Sequence, residues 1–196
     1  MEKEALINDK IANLEKEIME NQKSLVKLKR QIPLQKIEDY AFKDINGTVV
    51  KLSELFGDKE DLIVIHNMGS SCPYCTMWAD GFNGVLKHLE NRASFVIVSP
   101  DSTNVQKAFS KKREWKIRIY SAKDSMFIQD MGFVDKGAYL PGVSTFYKSK
   151  DGKIFRVAKS IFGPGDPFCA VWHFFDLLYK GANEWEPGFE YTERRK

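Results

Sequence analysis

"VIHNMGSSCPYCTMWADGF", residues 64–82, sets two of the chain's three cysteines two residues apart, Cys72 and Cys75, with Pro73 and Tyr74 between them. To its left, "DLIVIH" (61–66) is a continuous apolar run of the kind found in a strand buried on both faces. To its right, Met77, Trp78, Phe82, Val85, Leu86 and Leu89 recur at helical spacing and predict a helix from the cysteines to about residue 90. "SFVIVS" (94–99) then predicts a second buried strand. The cysteine pair therefore belongs at the strand-to-helix turn of a β-α-β unit.

Three chemistries fit such a pair: a redox disulfide, half of a metal site, or packing. Zinc needs two further ligands, and neither a second C-x-x-C nor a ligand spacing among Cys169, His66, His88 and His173 supplies them. No metal or other cofactor is expected. A redox pair is what the turn suits. At a helix start, unpaired N–H groups and the positive end of the dipole stabilise a Cys72 thiolate, lowering its pKa from the free value of about 8.5. Cys75, nearly one turn on, is placed to expel a substrate from a mixed disulfide, and Pro73 fits the first helical position, where its missing N–H costs nothing. The expectation is an exposed attacking Cys72 and a more buried resolving Cys75. Packing cysteines are the alternative.

The rest of the chain extends this unit. Residues 3–31 lack Gly and Pro and carry Ile7, Ile11, Leu14, Ile18, Asn21, Leu25, Leu28 and Ile32 at alternating spacings of four and three. This predicts one long helix of roughly 43 Å, ended by Pro33, which packs on a second chain or lies on its own; Asn21 is of the type that sets register in a helix pair. "YAFKDINGTVVKL" (40–52) predicts a hairpin about Asn46-Gly47, followed by a brief helix capped by Ser53. A helix over 103–115, the run "IRIY" (117–120) and a short helical or irregular segment over 124–131 lead to a second hairpin about Asp151-Gly152. Asp166 and Pro167 then start a final helix through "FCAVWHFFDLLYK" to Gly181, apolar nearly all round and so deeply packed or at an interface. The tail "YTERRK" should be solvated.

Composition excludes several classes. The 196 residues suit one domain with an appendage, and 30 basic against 27 acidic residues, spread without long runs, give no nucleic-acid footprint. The start "MEKEALINDK" lacks the order of a secretion signal, no apolar run approaches the ~20 residues that span a bilayer, and the chain is expected to be cytoplasmic. Three cysteines are too few for a disulfide scaffold. The expected division is a helical extension (1–33), one α/β domain (34–185) and a tail (186–196).

Strand, Cys-x-x-C turn, helix, parallel strand and a terminal hairpin plus helix form the layout of the thioredoxin fold, a central mixed sheet flanked by helices. The four letters Cys-Pro-Tyr-Cys also match glutaredoxins, but that family's Thr-Val-Pro segment is absent. "LIVIHNMGSSCPYCTMWADGFNGVLKHLENRASFVIVSP" (62–100), "REWKIRIYSAKDSMFIQDMGF" (113–133), "PGVSTFYKSKDGKIF" (141–155) and "LKRQIP" (28–33) resemble the thioredoxin-like family called domain of unknown function 899, described as predicted dithiol-disulfide oxidoreductases. The resemblance implies fold and redox class and names no substrate.

Comparison with thioredoxins adds two residues. Their buried proton-relay Asp, six residues before the first cysteine, corresponds to His66, whose ordinary pKa near 6.5 suits proton transfer; the alternative is a strand-end His held by hydrogen bonds. Their cis proline corresponds to Ser144, with Pro141 three residues earlier, so Ser144 either faces substrate or is simply a strand residue. Weaker candidates are Trp78 (pocket wall or core), Asp80 (site-tuning or locally bonded carboxylate) and Tyr74, exposed between the cysteines and, with Pro73, able to contact substrate. Cys169 is expected as a core thiol, and Lys111, Lys112 and Arg113 as a solvated helix face.

Three functions compete: a thiol-disulfide oxidoreductase acting on protein or small disulfides, an interaction module dimerised by its long helix, and a thiol peroxidase. The peroxiredoxin pattern Pro-x-x-x-Thr/Ser-x-x-Cys meets Ile65 and Gly69 here, which demotes the last.

Overall fold

Every strand that the apolar runs predict is present in the computed structural model, which describes residues 2–191. The chain divides after Gln35 into two compact units. The first is a single helix, α1 (Glu2–Gln31), with Lys29 and Arg30 in its last turn, where they suit the negative end of the dipole. Its apolar seam, Ile7 to Ile32, is exposed.

The second unit is built on one sheet. In chain order its elements are β1 (Gln35–Ile37), β2 (Ala41–Lys43), β3 (Val49–Lys51), α2 (Leu52–Leu55), β4 (Asp61–His66), α3 (Pro73–Arg92), β5 (Ser94–Ser99), α4 (Thr103–Lys112), β6 (Arg118–Ser121), α5 (Phe127–Asp130), β7 (Val134–Asp135), β8 (Ala138–Tyr139), β9 (Gly142–Lys148), β10 (Ile154–Ile161) and α6 (Ala170–Asp176). Eight strands follow the order β1-β10-β9-β4-β5-β6-β2-β3, and β7 and β8 form a separate hairpin. β4, β5 and β6 are parallel, while β9 is antiparallel to β4 and β10 to β9. This is a thioredoxin-like fold.

Alternation along the central strands sorts side chains onto two faces. Leu62 and Val64 of β4 and Val96 and Val98 of β5 join Phe42, Phe56, Phe127, Phe133 and Phe146 in one cluster. Ile65, Phe95 and Ile97 join Trp78, Ala79 and Leu86 of α3, with Phe162, Cys169 and Trp172, in the other. The cysteine helix therefore covers only the second face.

Several expectations need correction. Ser53 lies inside α2, whose N-cap is Lys51; the Ser53 N–H and hydroxyl both donate to the Asp39 carboxylate, at 2.8 Å each. The β7–β8 hairpin turns at Lys136-Gly137, both with positive φ, a signal the sequence carries as "DKG". The last helix is much shorter than "FCAVWHFFDLLYK" suggests. Asp166 accepts from the Gly163 and Phe168 N–H groups in a turn, so the helix starts only after Cys169. It is not deeply packed, since Trp172 is its one buried residue and Phe174 is exposed, as are Leu177, Leu178 and Tyr179 after its end. Of the tail, residues 192–196 lie outside the described residues, and Tyr191 is exposed. Among the described residues no helix is long and apolar enough to cross a membrane.

Candidate active site

Between the end of β4 and the start of α3, six residues are held by their own polar groups. Asn67 N–H continues the ladder to Val98 O at 2.9 Å, and its side chain accepts from Gly69 N–H at 2.8 Å. Gly69 has φ +117°, and a Cβ there would lie 2.9 Å from Asp101 Oδ1. The same carboxylate accepts from Ser70 N–H at 2.6 Å. Only glycine meets both the angle and the close approach. Asp101 was not among the sequence candidates. The signal for it is topological: in a parallel pair, the loop after β5 lies beside the loop after β4.

Cys72 is the N-cap of α3, with extended backbone (φ −96°, ψ 107°), and Pro73 takes the first helical position. Its Sγ accepts from Cys75 N–H at 3.0 Å, as the oxygen of a capping Ser would. Thr76 fixes the Cys72 carbonyl through both its N–H (3.1 Å) and its hydroxyl (3.0 Å). All three cysteines are free thiols. Cys72 is 7% exposed and Cys75 3%. Cys72 is thus less open than expected, since the helix start it caps is buried.

The pair titrates asymmetrically. A hydrogen bond from the Cys75 thiol, with those from the Cys75 and Tyr74 N–H groups, brings Cys72 down from an ordinary thiol value to about 7, against the opposing effect of burial. Cys75 is pushed strongly up by holding its proton toward Cys72, then by burial and by the Cys72 charge; Met68 N–H, 3.5 Å from its Sγ, opposes weakly. One thiol is favoured as the thiolate and the other keeps its proton.

His66 falls on the opposite face. Its ring is 1% exposed and stacks on Phe133 (centroids 3.6 Å apart, planes at 13°) and Phe127 (5.5 Å, 16°). Nε2 lies 2.9 Å from Ser144 Oγ, and Nδ1 has no hydrogen-bond partner among the described residues. Burial first, then the positive charges of Arg156 and Lys159, lowers its pKa to about 3. The near-neutral pKa on which a relay role rests is therefore not met, and the ring is neutral at pH 7.

Ser144 is fully buried inside β9, opposite Val64, with its hydroxyl on His66. It offers no surface to a substrate. The residue just before β9 is Pro141, half-buried, whose carbonyl accepts from Phe162 N–H at 2.9 Å; among the described residues no peptide bond is cis.

The remaining candidates separate. Tyr74 is half-buried rather than exposed, its ring 6.1 Å from Trp172 and 6.2 Å from Trp78. It walls a cavity of ≈ 500 Å³ with Trp172, Trp185, Glu184 and Glu186. Trp78 is buried against Phe162. Asp80 accepts from Trp115 Nε1 (2.7 Å) and pairs through both oxygens with Arg113, which also donates to Phe189 O (3.0 Å). This carboxylate ties α3 to the segment after α4, and Arg113 is not part of a solvated face. Cys169 is buried beside Trp78 and Trp172, where burial pushes its thiol up. No group of three or more His, Cys, Asp or Glu among the described residues could hold a metal ion.

Residues 4–196 match the family model described as bacterial protein of unknown function, DUF899. The chain belongs to that family. No curated protein matches it. Among solved structures it is similar to the peroxidoxin BcpB from Mycobacterium tuberculosis (TM-score 0.54, 23% identity, 70% of this chain and 88% of that one). It is also similar to an uncharacterized conserved protein from Geobacillus kaustophilus (TM-score 0.52, 16% identity, 75% and 81%). These likenesses establish the thioredoxin-like fold of this DUF899 member.

Proposed function

We propose that this chain is a thiol-disulfide oxidoreductase in which Cys72 attacks and Cys75 resolves. The observation that carries the reading is geometric: two free thiols three residues apart share one helix start, with Cys72 as the N-cap of α3 and its Sγ accepting from Cys75 N–H at 3.0 Å. In the first step the Cys72 thiolate attacks one sulfur of a substrate disulfide, and the other leaves as a thiolate and takes up a proton. Forming the mixed disulfide removes the negative charge on Cys72, and with it both the hydrogen bond and the repulsion that hold the Cys75 proton. Cys75 can then lose its proton and attack Cys72 Sγ. The second substrate thiol leaves, and two electrons have passed from the dithiol to the substrate. An external dithiol reductant restores the pair.

The substrate class is a disulfide in a protein or a small thiol compound. Pro73 and Tyr74, with the cavity beside Tyr74, are its contact surface. A peroxidase reading draws on the fold shared with the peroxidoxin alone, and Ile65 and Gly69 stand where that chemistry uses Pro and Thr/Ser. The test follows a chromogenic aryl disulfide. Wild type should reduce it and lose two daltons on the peptide carrying both cysteines, and Cys75→Ser should stop at the mixed disulfide. Peroxide consumption that requires Cys72 without any disulfide reduction would favour the peroxidase. A 72–75 disulfide that never forms would favour an interaction module.

A further inference from the structure

The exposed seam of α1 has a strict alternation that a single amphipathic helix does not need. Ile11, Ile18, Leu25 and Ile32 fall at one heptad position, a, and Ile7, Leu14, Asn21 and Leu28 at the other, d. Every apolar member of the seam is between 48% and 60% exposed. The repeat spans more than three heptads, enough to specify a coiled coil, and a seven-residue period requires a left-handed supercoil. β-Branched residues at a, with Leu25 the exception, and leucine at two of the d positions favour two strands.

Two features choose the orientation. In a parallel, in-register pair each d residue meets its own copy, so Asn21 faces Asn21 and the two amides hydrogen-bond each other. In an antiparallel pair a meets d, and each Asn21 amide faces an apolar a residue, Ile18 in the register of greatest overlap. That would bury two unsatisfied amides. Flanking charges agree. In a parallel pair Lys10, at g, lies against Glu15, at the next e of the second copy, twice over; the antiparallel register sets Lys10 against Gln31 and Glu15 against Gln22, with no opposite charges.

We propose that α1 pairs with α1 of a second copy as a parallel, in-register, two-stranded coiled coil, with Asn21 fixing the register. The two active-site units then follow from the same end of the coil.

The test uses the full chain with Cys72, Cys75 and Cys169 changed to Ser, so that only introduced thiols can cross-link. Sedimentation should give twice 22.6 kDa, and Asn21→Cys should form an interchain disulfide on mild oxidation. Leu14→Glu should be monomeric. Lys10→Glu should weaken the dimer severalfold, and adding Glu15→Lys should restore it. A monomer at micromolar concentration overturns the proposal. So does a dimer in which Asn21→Cys does not cross-link while a mixture of Ile18→Cys and Asn21→Cys chains does, which is the antiparallel result. A dimer that survives Leu14→Glu without cross-linking overturns it as well.

Discussion

His66 and Cys72 stand six positions apart, one ending β4 and the other capping α3, yet they have opposite chemical fates. Cys72 turns toward the α3 face and collects N–H donors, which bring its thiol to about 7. His66 turns to the other face, between Phe127 and Phe133, where burial holds its pKa near 3. Neither residue is open to water, but His66 is sealed more completely than Cys72. What separates them is the balance of burial and neighbours: oriented donors favour an anion at Cys72 against burial, whereas at His66 burial first, and then the charges of Arg156 and Lys159, disfavour a cation. Titratable chemistry belongs to the α3 face, and the face with His66 and Ser144 is a core with one polar pair in it.

Substitutions on the two faces should therefore fail differently. The largest effect is expected from Cys72→Ser, which should abolish disulfide reduction while leaving thermal stability close to wild type; residual turnover carried by Cys75 or Cys169 would blur the contrast. Next comes Gly142→Ala, at the register position opposite His66. Its Cβ would lie 2.4 Å from both Ser160 O and a Phe133 ring carbon, so the sheet must shift. A loss of about 1–3 kcal/mol in chemical denaturation is expected.

Ser144→Ala tests the polar pair. It strands the buried Nε2 of His66 and should cost about 1–3 kcal/mol, with Cys72 reactivity unchanged. If it slows Cys72 instead, the two faces communicate and the separation fails.

The pH dependence of stability gives a smaller, signed effect. The folded His66 is lowered to about 3, so between the ordinary value near 6.5 and that value the unfolded chain binds a proton that the folded chain refuses. Its contribution is complete above pH 6.5 and is lost as pH falls toward 3. His66→Gln, which keeps a side chain able to reach Ser144, should remove about one proton from the acid-side slope of stability between pH 6 and 4.

Much of this was legible beforehand, and the misses have physical causes. The run 61–66 and the helical spacing after Cys75 are strong local patterns, so β4, α3 and the N-cap position of Cys72 follow from them. The same run conceals which face His66 occupies, because a strand buried on both sides carries no polar-apolar alternation to set the phase. Ser144 and Asp101 depend on pairing between distant segments. Counting from Pro141 gives no hint that Val64 faces Ser144, and nothing near Cys72 in sequence points to Asp101. The short α6 shows a third cause: apolar content extends a helix on paper, whereas the Asp166 turn decides where it begins.

The central claim is that the helix start prepares Cys72 and leaves Cys75 protonated. Its most direct test is the pH dependence of alkylation at Cys72, followed by mass spectrometry of the peptide carrying both cysteines. The rate at Cys72 should rise through a midpoint of about 7, with Cys75 unmodified up to pH 9. A midpoint near 8.5, or both thiols reacting together, would contradict the account.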